Sequence, residues 1–90
     1  MDDFDAELAA LVPGYLAARR RDLVTLRELL AQQRWEDIRR IGHRMKGTGV
    51  TYGLGEVSRL GDALETAAQL ADGDAVRTLL DQLHAALPIR

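Results

Sequence analysis

Ninety residues with a net charge of −2, 47% apolar and 29% charged side chains describe one globular domain over residues 1–90 with a modest core, and exclude a disordered chain. The absence of cysteine excludes disulfide staples and thiolate metal sites. No apolar run approaches the roughly 20 residues of a membrane span, and the acidic start Met1-Asp2-Asp3-Phe4-Asp5 is unlike a secretory signal, so the expected location is the cytoplasm.

Helical spacing runs through the chain from its start. Phe4, Leu8, Leu11 and Val12 predict a short first helix behind Asp2, Asp3 and Asp5, which cap it or complement its dipole. Pro13 then interrupts or restarts the helix. Leu16, Leu23, Leu26 and Leu30 share one face of the next segment, which runs to about Gln33. A third helix is expected from Trp35 to about Tyr52, broken by Gly53 to Gly55. Leu54, Val57, Leu60, Gly61, Leu64 and Ala68 give the stripe of a fourth helix to about Ala71. Asp72-Gly73-Asp74 is a turn with its own cap signal, and Val76, Leu79, Leu80, Leu83 and Leu87 mark a last helix ending at Pro88. Short turns between helices place neighbours antiparallel. The expected fold is therefore all-α, an antiparallel up-and-down four-helix bundle with a short extra N-terminal helix. Gly42, Gly49 and Gly61 fall on inward faces, where close helix packing accounts for them.

The third helix carries the most informative residues. Stepping about 100° per residue along Ile38 to Tyr52 gathers Ile38, Ile41, Met45 and Tyr52 into the buried stripe and turns His43 roughly 160° away from it, into water. Lys46 and Gly47, three and four residues on, are surface neighbours of the imidazole. A glycine inside a helix costs about 1 kcal/mol relative to alanine, and no core packing offsets that at Gly47. A lone exposed histidine is also what an ordinary solvated face carries. Here a lysine one turn away is a poor neighbour for an imidazolium and a good one for an anionic group on the ring nitrogen. Neutral imidazole is a nucleophile near pH 7 and can form a covalent phosphoryl adduct, whose charge Lys46 would neutralise.

His43, Lys46-Gly47, Thr48-Gly49-Val50-Thr51, Gly53, and then Val57, Leu60 and Leu64-Glu65 resemble the pattern of histidine-containing phosphotransfer (HPt) domains of phosphorelays. The similarity is specific around His43 and looser elsewhere. Gly49 and Val50 depart mildly, standing where serine or alanine is more usual. The resemblance implies that His43 is the phosphoacceptor, Lys46 its electrostatic partner, and Gly47 the gap that admits a partner. That partner would be the receiver domain of a response regulator, linked to a hybrid or separate histidine kinase. The domain itself would need no cofactor, since Mg²⁺ belongs to the receiver. Arg39, Arg44 and Val50 are candidate docking contacts, and a monomer is expected.

Between Arg34 and Lys46 five basic residues face two acidic ones, a local balance of +3, which leaves −5 on the remainder. Such a patch attracts an acidic partner; it is equally a solvated helix face with pairs such as Glu36 to Arg40. Nucleic-acid binding through Arg19-Arg20-Arg21 is disfavoured by the negative net charge, by few aromatics for stacking (one Phe, two Tyr, one Trp) and by the lack of a known module. Those arginines read instead as a solvated face whose stems cover the core edge. His43 and His84 lack zinc spacing, and His84 reads as an edge residue of the last helix. No phosphate-binding glycine loop or kinase signature is present, so the expectation is a phosphotransfer protein without an ATP site, not a kinase. The competing class is a non-catalytic helical adaptor that binds a receiver without carrying phosphate.

Overall fold

Apolar side chains at helical spacing produce four α-helices in a computed structural model, which describes residues 3–87. Helix α1 spans Asp3–Ala31, α2 Trp35–Gly49, α3 Gly55–Gln69 and α4 Gly73–Ala86, and a single 3-10 turn, Val50–Tyr52, follows α2. No strand occurs among the described residues. The helices form a bundle in which α1 touches α2 and α4, and α3 touches α2 and α4, so each helix has two neighbours. None of the described helices is long and apolar enough to cross a membrane. Pro88, expected to end the last helix, lies outside the described residues, as do the side chains of Asp3 and Phe4.

One expectation is corrected. The separate N-terminal helix does not exist, because residues 3–31 run as one helix with Pro13 inside it. Pro13 cannot donate to the Ala9 carbonyl, yet most of residues 5–14 are exposed, where water can stand in for a missing donor. At 29 residues α1 is about 43 Å long, roughly twice α2 or α3, and from residue 5 onward its first buried residue is Tyr15.

The core lies where the four stripes meet. Leu26, Ile38, Leu60, Leu64, Val76, Leu80 and Leu83 are wholly buried, and Leu23, Ile41, Met45, Val57, Ala68 and Leu87 nearly so. Helix ends are closed by local hydrogen bonds. Asp72 caps α4 by accepting from the Ala75 amide at 3.1 Å. Helices α1 and α3 each end on a left-handed residue, Gln33 and Ala71, whose neighbours Arg34 and Asp72 return N–H groups to Leu29 and Ala67.

The α2–α3 interface is the closest in the bundle. A Cβ on Gly61 would lie 2.5 Å from the Lys46 amide nitrogen and 2.7 Å from the Gly42 carbonyl, and one on Gly42 would lie 2.8 Å from the Gly61 carbonyl. Backbone therefore rests on backbone at this crossing. From Gly42 to Gly49 along α2, the facing α3 residues run back from Glu65 through Gly61 to Ser58. Ser58 completes the seam by entering the helical ladder. Its hydroxyl accepts from the Val50 amide at 2.8 Å and donates to the Lys46 carbonyl at 2.7 Å, replacing the direct bond between those groups where α2 tightens into the 3-10 turn.

Gly47 is the opposite case, with nothing within 4 Å of an added Cβ. Gly61→Ala should therefore destabilise the protein by about 1–3 kcal/mol. Gly47→Ala should stabilise it by about 0.5–1 kcal/mol. Urea midpoints of the two variants, moving in opposite directions from wild type, check this.

Candidate functional site

Burial of Ile38, Ile41 and Met45 against α3 fixes the rotation of α2 and turns His43 outward, with 66% of its side chain exposed. The ring does not stand alone. Its Nδ1 lies 2.9 Å from Oε2 of Glu65, a side chain on α3 only 14% exposed. A carboxylate can only accept, so Nδ1 carries the proton that faces Glu65, and in the neutral ring Nε2 is the nitrogen that keeps the lone pair. In its neutral form, an imidazole held in this way can act as a nucleophile at Nε2. When Nε2 gives that lone pair to an electrophile, positive charge develops on the ring, and Glu65 is placed to stabilise it.

Lys46 forms a second rung beside the first. Its Nζ is 3.3 Å from Oδ1 of Asp62, both side chains about half exposed. His43 and Lys46 are three residues apart on α2, and their partners Glu65 and Asp62 are three apart on α3. The rungs align because the glycine crossing between them sets the register of the two helices.

Arg39 is committed within the domain. Its Nε and Nη2 donate to both carboxylate oxygens of Glu36 at 2.9 and 2.7 Å, and Nη1 lies 3.5 Å from Glu65 Oε2, the oxygen that serves His43. The hydrogen bond from Arg39 holds the Glu36 carboxyl below the usual carboxylate range, and the same bond raises the Arg39 guanidinium above its ordinary value. Arg34 pairs with Asp37 at 2.8 Å and Arg40 with Glu36 at 3.6 Å. Of the five basic residues from Arg34 to Lys46, Arg44 alone shows no ion pair within the described residues. Two shallow depressions between α1 and α2 meet at Arg44 and His43. Thr25, Leu29 and Ile41 line one, and Arg19, Asp22, Gly47 and Thr48 line the other. Val50, 63% exposed, stands just past Gly47 on the 3-10 turn.

Tyr15 locks α1 against this end of α2. Its ring stacks on Tyr52 with centroids 4.3 Å apart, and Arg19 covers its other side at 4.5 Å. Thr48 spends its hydroxyl hydrogen on the Arg44 carbonyl at 3.0 Å, so the Tyr15 hydroxyl donates to Thr48 Oγ1 at 2.7 Å. Arg19 Nε also sits 2.8 Å from Asp22, an ion-pair distance without hydrogen-bond alignment. Of the three consecutive arginines, Arg19 is accordingly a packed residue; His84, expected at the edge of the last helix's apolar stripe, is exposed.

Sequence reasoning singled out His43, Lys46, Gly47, Arg39, Arg44 and Val50, and all lie on α2 or the turn that follows it. It gave no role to Glu65 or Asp62. Their spacing, equal to that of His43 and Lys46, was the available signal, but it speaks only once the α2–α3 register is known. Glu65→Gln should leave the helical content unchanged while releasing the ring, because an amide can present either a donor or an acceptor to Nδ1. ¹⁵N shifts of the His43 imidazole should then move from the Nδ1–H form towards a mixture of tautomers; an unchanged spectrum would show that Glu65 does not set it.

No curated protein and no solved structure matched the chain. The family model of the Hpt domain matches residues 10–88, which takes in α1 from residue 10 onward, the whole of α2, α3 and α4, and every residue of the His43 and Lys46 rungs. The chain belongs to the Hpt domain family, whose general role is histidine phosphotransfer in phosphorelays.

Proposed function

We propose that this protein is a phosphorelay intermediate, accepting a phosphoryl group from a receiver-domain aspartate onto His43 and passing it to another receiver aspartate. The observation that carries this reading is the bond from His43 Nδ1 to Glu65, which leaves the lone pair of the neutral, mostly exposed ring on Nε2. In the transfer, Nε2 forms a bond to phosphorus as the aspartyl oxygen–phosphorus bond breaks, and the aspartate leaves as a carboxylate. The proton on Nδ1 stays in place against Glu65. Lys46 supplies charge to the phosphoryl oxygens, while Mg²⁺ and most of the transition-state stabilisation belong to the receiver.

Docking falls on the outward face of α2. Gly47 leaves room for the partner's backbone, Arg44 offers a guanidinium that makes no ion pair among the described residues, and Val50 adds an apolar contact. Arg39 reaches this face with its charge already engaged by Glu36, so its part in docking is secondary to its part in holding Glu65. The antiparallel up-and-down arrangement of the bundle, a monomeric state and a cytoplasmic location complete the reading. A histidine kinase, hybrid or separate, would feed the first receiver.

His43→Gln should abolish transfer from phosphorylated receivers while leaving the circular dichroism unchanged, because an exposed side chain contributes little to stability. The measurement is formation of an acid-labile, base-stable phosphoryl adduct in wild type and variant side by side. Receiver binding without any adduct in wild type would instead establish the adaptor. Gly47→Leu should fold normally and lose receiver binding; equal affinity of variant and wild type in a titration would remove Gly47 from the docking face.

A further inference from the structure

Lys46 is the residue expected to meet phosphoryl charge, yet its ammonium is held 3.3 Å from Asp62 on α3. No other ion pair involves Lys46 among the described residues. Asp62 is fixed beside it by the backbone. Gly61, the preceding residue, packs so closely on the Lys46 amide that the two positions cannot separate without parting the helices. The remaining charges on that stretch of α3 are engaged elsewhere, Arg59 with Glu56 and Glu65 with His43 and Arg39. Among the described residues Asp62 thus has one cation to bind, and that cation has a second use.

We infer that Asp62 is a positioning residue that sets the phosphoryl-transfer potential of His43 by competing for Lys46; this rests on the phosphotransfer reading above. In the free protein the carboxylate holds the ammonium against α3. When Nε2 bonds to phosphorus and the aspartate of the receiver departs, two or more anionic oxygens appear within reach of Lys46. The ammonium then divides between the phosphoryl group and Asp62. Every part of its charge kept by Asp62 is charge denied to the adduct, which raises the free energy of phosphohistidine and favours onward transfer. Asp62 acts as a brake on trapping, so that the group remains transferable in either direction.

Exposed ion pairs contribute roughly 0.2–1 kcal/mol, which converts to about a 1.5- to 5-fold change in an equilibrium constant. The test is the equilibrium between one receiver domain, phosphorylated with acetyl phosphate and then freed of it, and the full chain as wild type, Asp62→Asn, Lys46→Met and the double variant. Asp62→Asn should raise the phosphohistidine share about 1.5- to 5-fold, and the rise should vanish in the Lys46→Met background. An equal rise in both backgrounds would mean that Asp62 acts by direct repulsion of the phosphoryl group, and overturns the inference. No rise in either background overturns it as well. Absence of phosphohistidine in all four proteins removes the phosphotransfer reading and this inference with it, an outcome distinct from the other two.

Discussion

The approach of α2 to α3 at Gly42 and Gly61 is the constraint on which the rest of the structure depends. Two helices normally pack 8–10 Å apart, separated by the side chains between them. Here the carbonyl oxygen of each glycine lies within 2.8 Å of where the side chain of the other would start, so the gap is set by main-chain atoms. Main-chain contact has little room to relax, whereas a layer of leucines can repack around a small shift. The register of α2 on α3 is consequently fixed, and Ser58 pins it again where the helix tightens.

That rigidity matters because the charged groups above the seam are too weak to create their own order. Exposed ion pairs are worth well under about 1 kcal/mol in most cases. Burying one leucine or isoleucine contributes about 1.5–3 kcal/mol. The fold is therefore held by Leu26, Ile38, Leu60, Leu64, Leu80 and Leu83, and the ladder of His43, Glu65, Lys46 and Asp62 is a consequence of it. Placement by the core lets the imidazole keep a defined tautomer although most of the ring is in water. With the helices placed by the core, Arg39 leans both on Glu36 of its own helix and on Glu65 of α3.

Much of this was legible from residue spacing. The stripes of α2, α3 and α4 follow from apolar residues at helical intervals, and the outward direction of His43 follows from the stripe opposite it. The inward glycines were also readable, since a costly residue on an apolar face needs a close neighbour. Pro13 misled because its effect depends on surroundings. A proline breaks a helix most severely where its missing donor leaves a buried carbonyl, and residues 5–14 lie mostly in solvent. Tyr15 escaped notice among the leucines of α1, although it is buried, because its partners Tyr52 and Thr48 lie more than thirty residues away in sequence. The pairings of Glu65 and Asp62 were hidden for the same reason, although Glu65 stands in the pattern around His43: a pairing between helices is a property of register, and register comes from packing.

The uneven length of α1 carries a consequence for how the molecule opens. Its turns before Tyr15 are hydrogen-bonded as helix yet contribute little to the core, so they can unwind at small free-energy cost while the bundle stays intact. Past Tyr15 the same helix is anchored by the aromatic stack and by Leu23 and Leu26, and its amides open only with the core. One continuous helix thus spans two levels of protection against hydrogen exchange, with Pro13, which has no amide to exchange, standing close to the border between them.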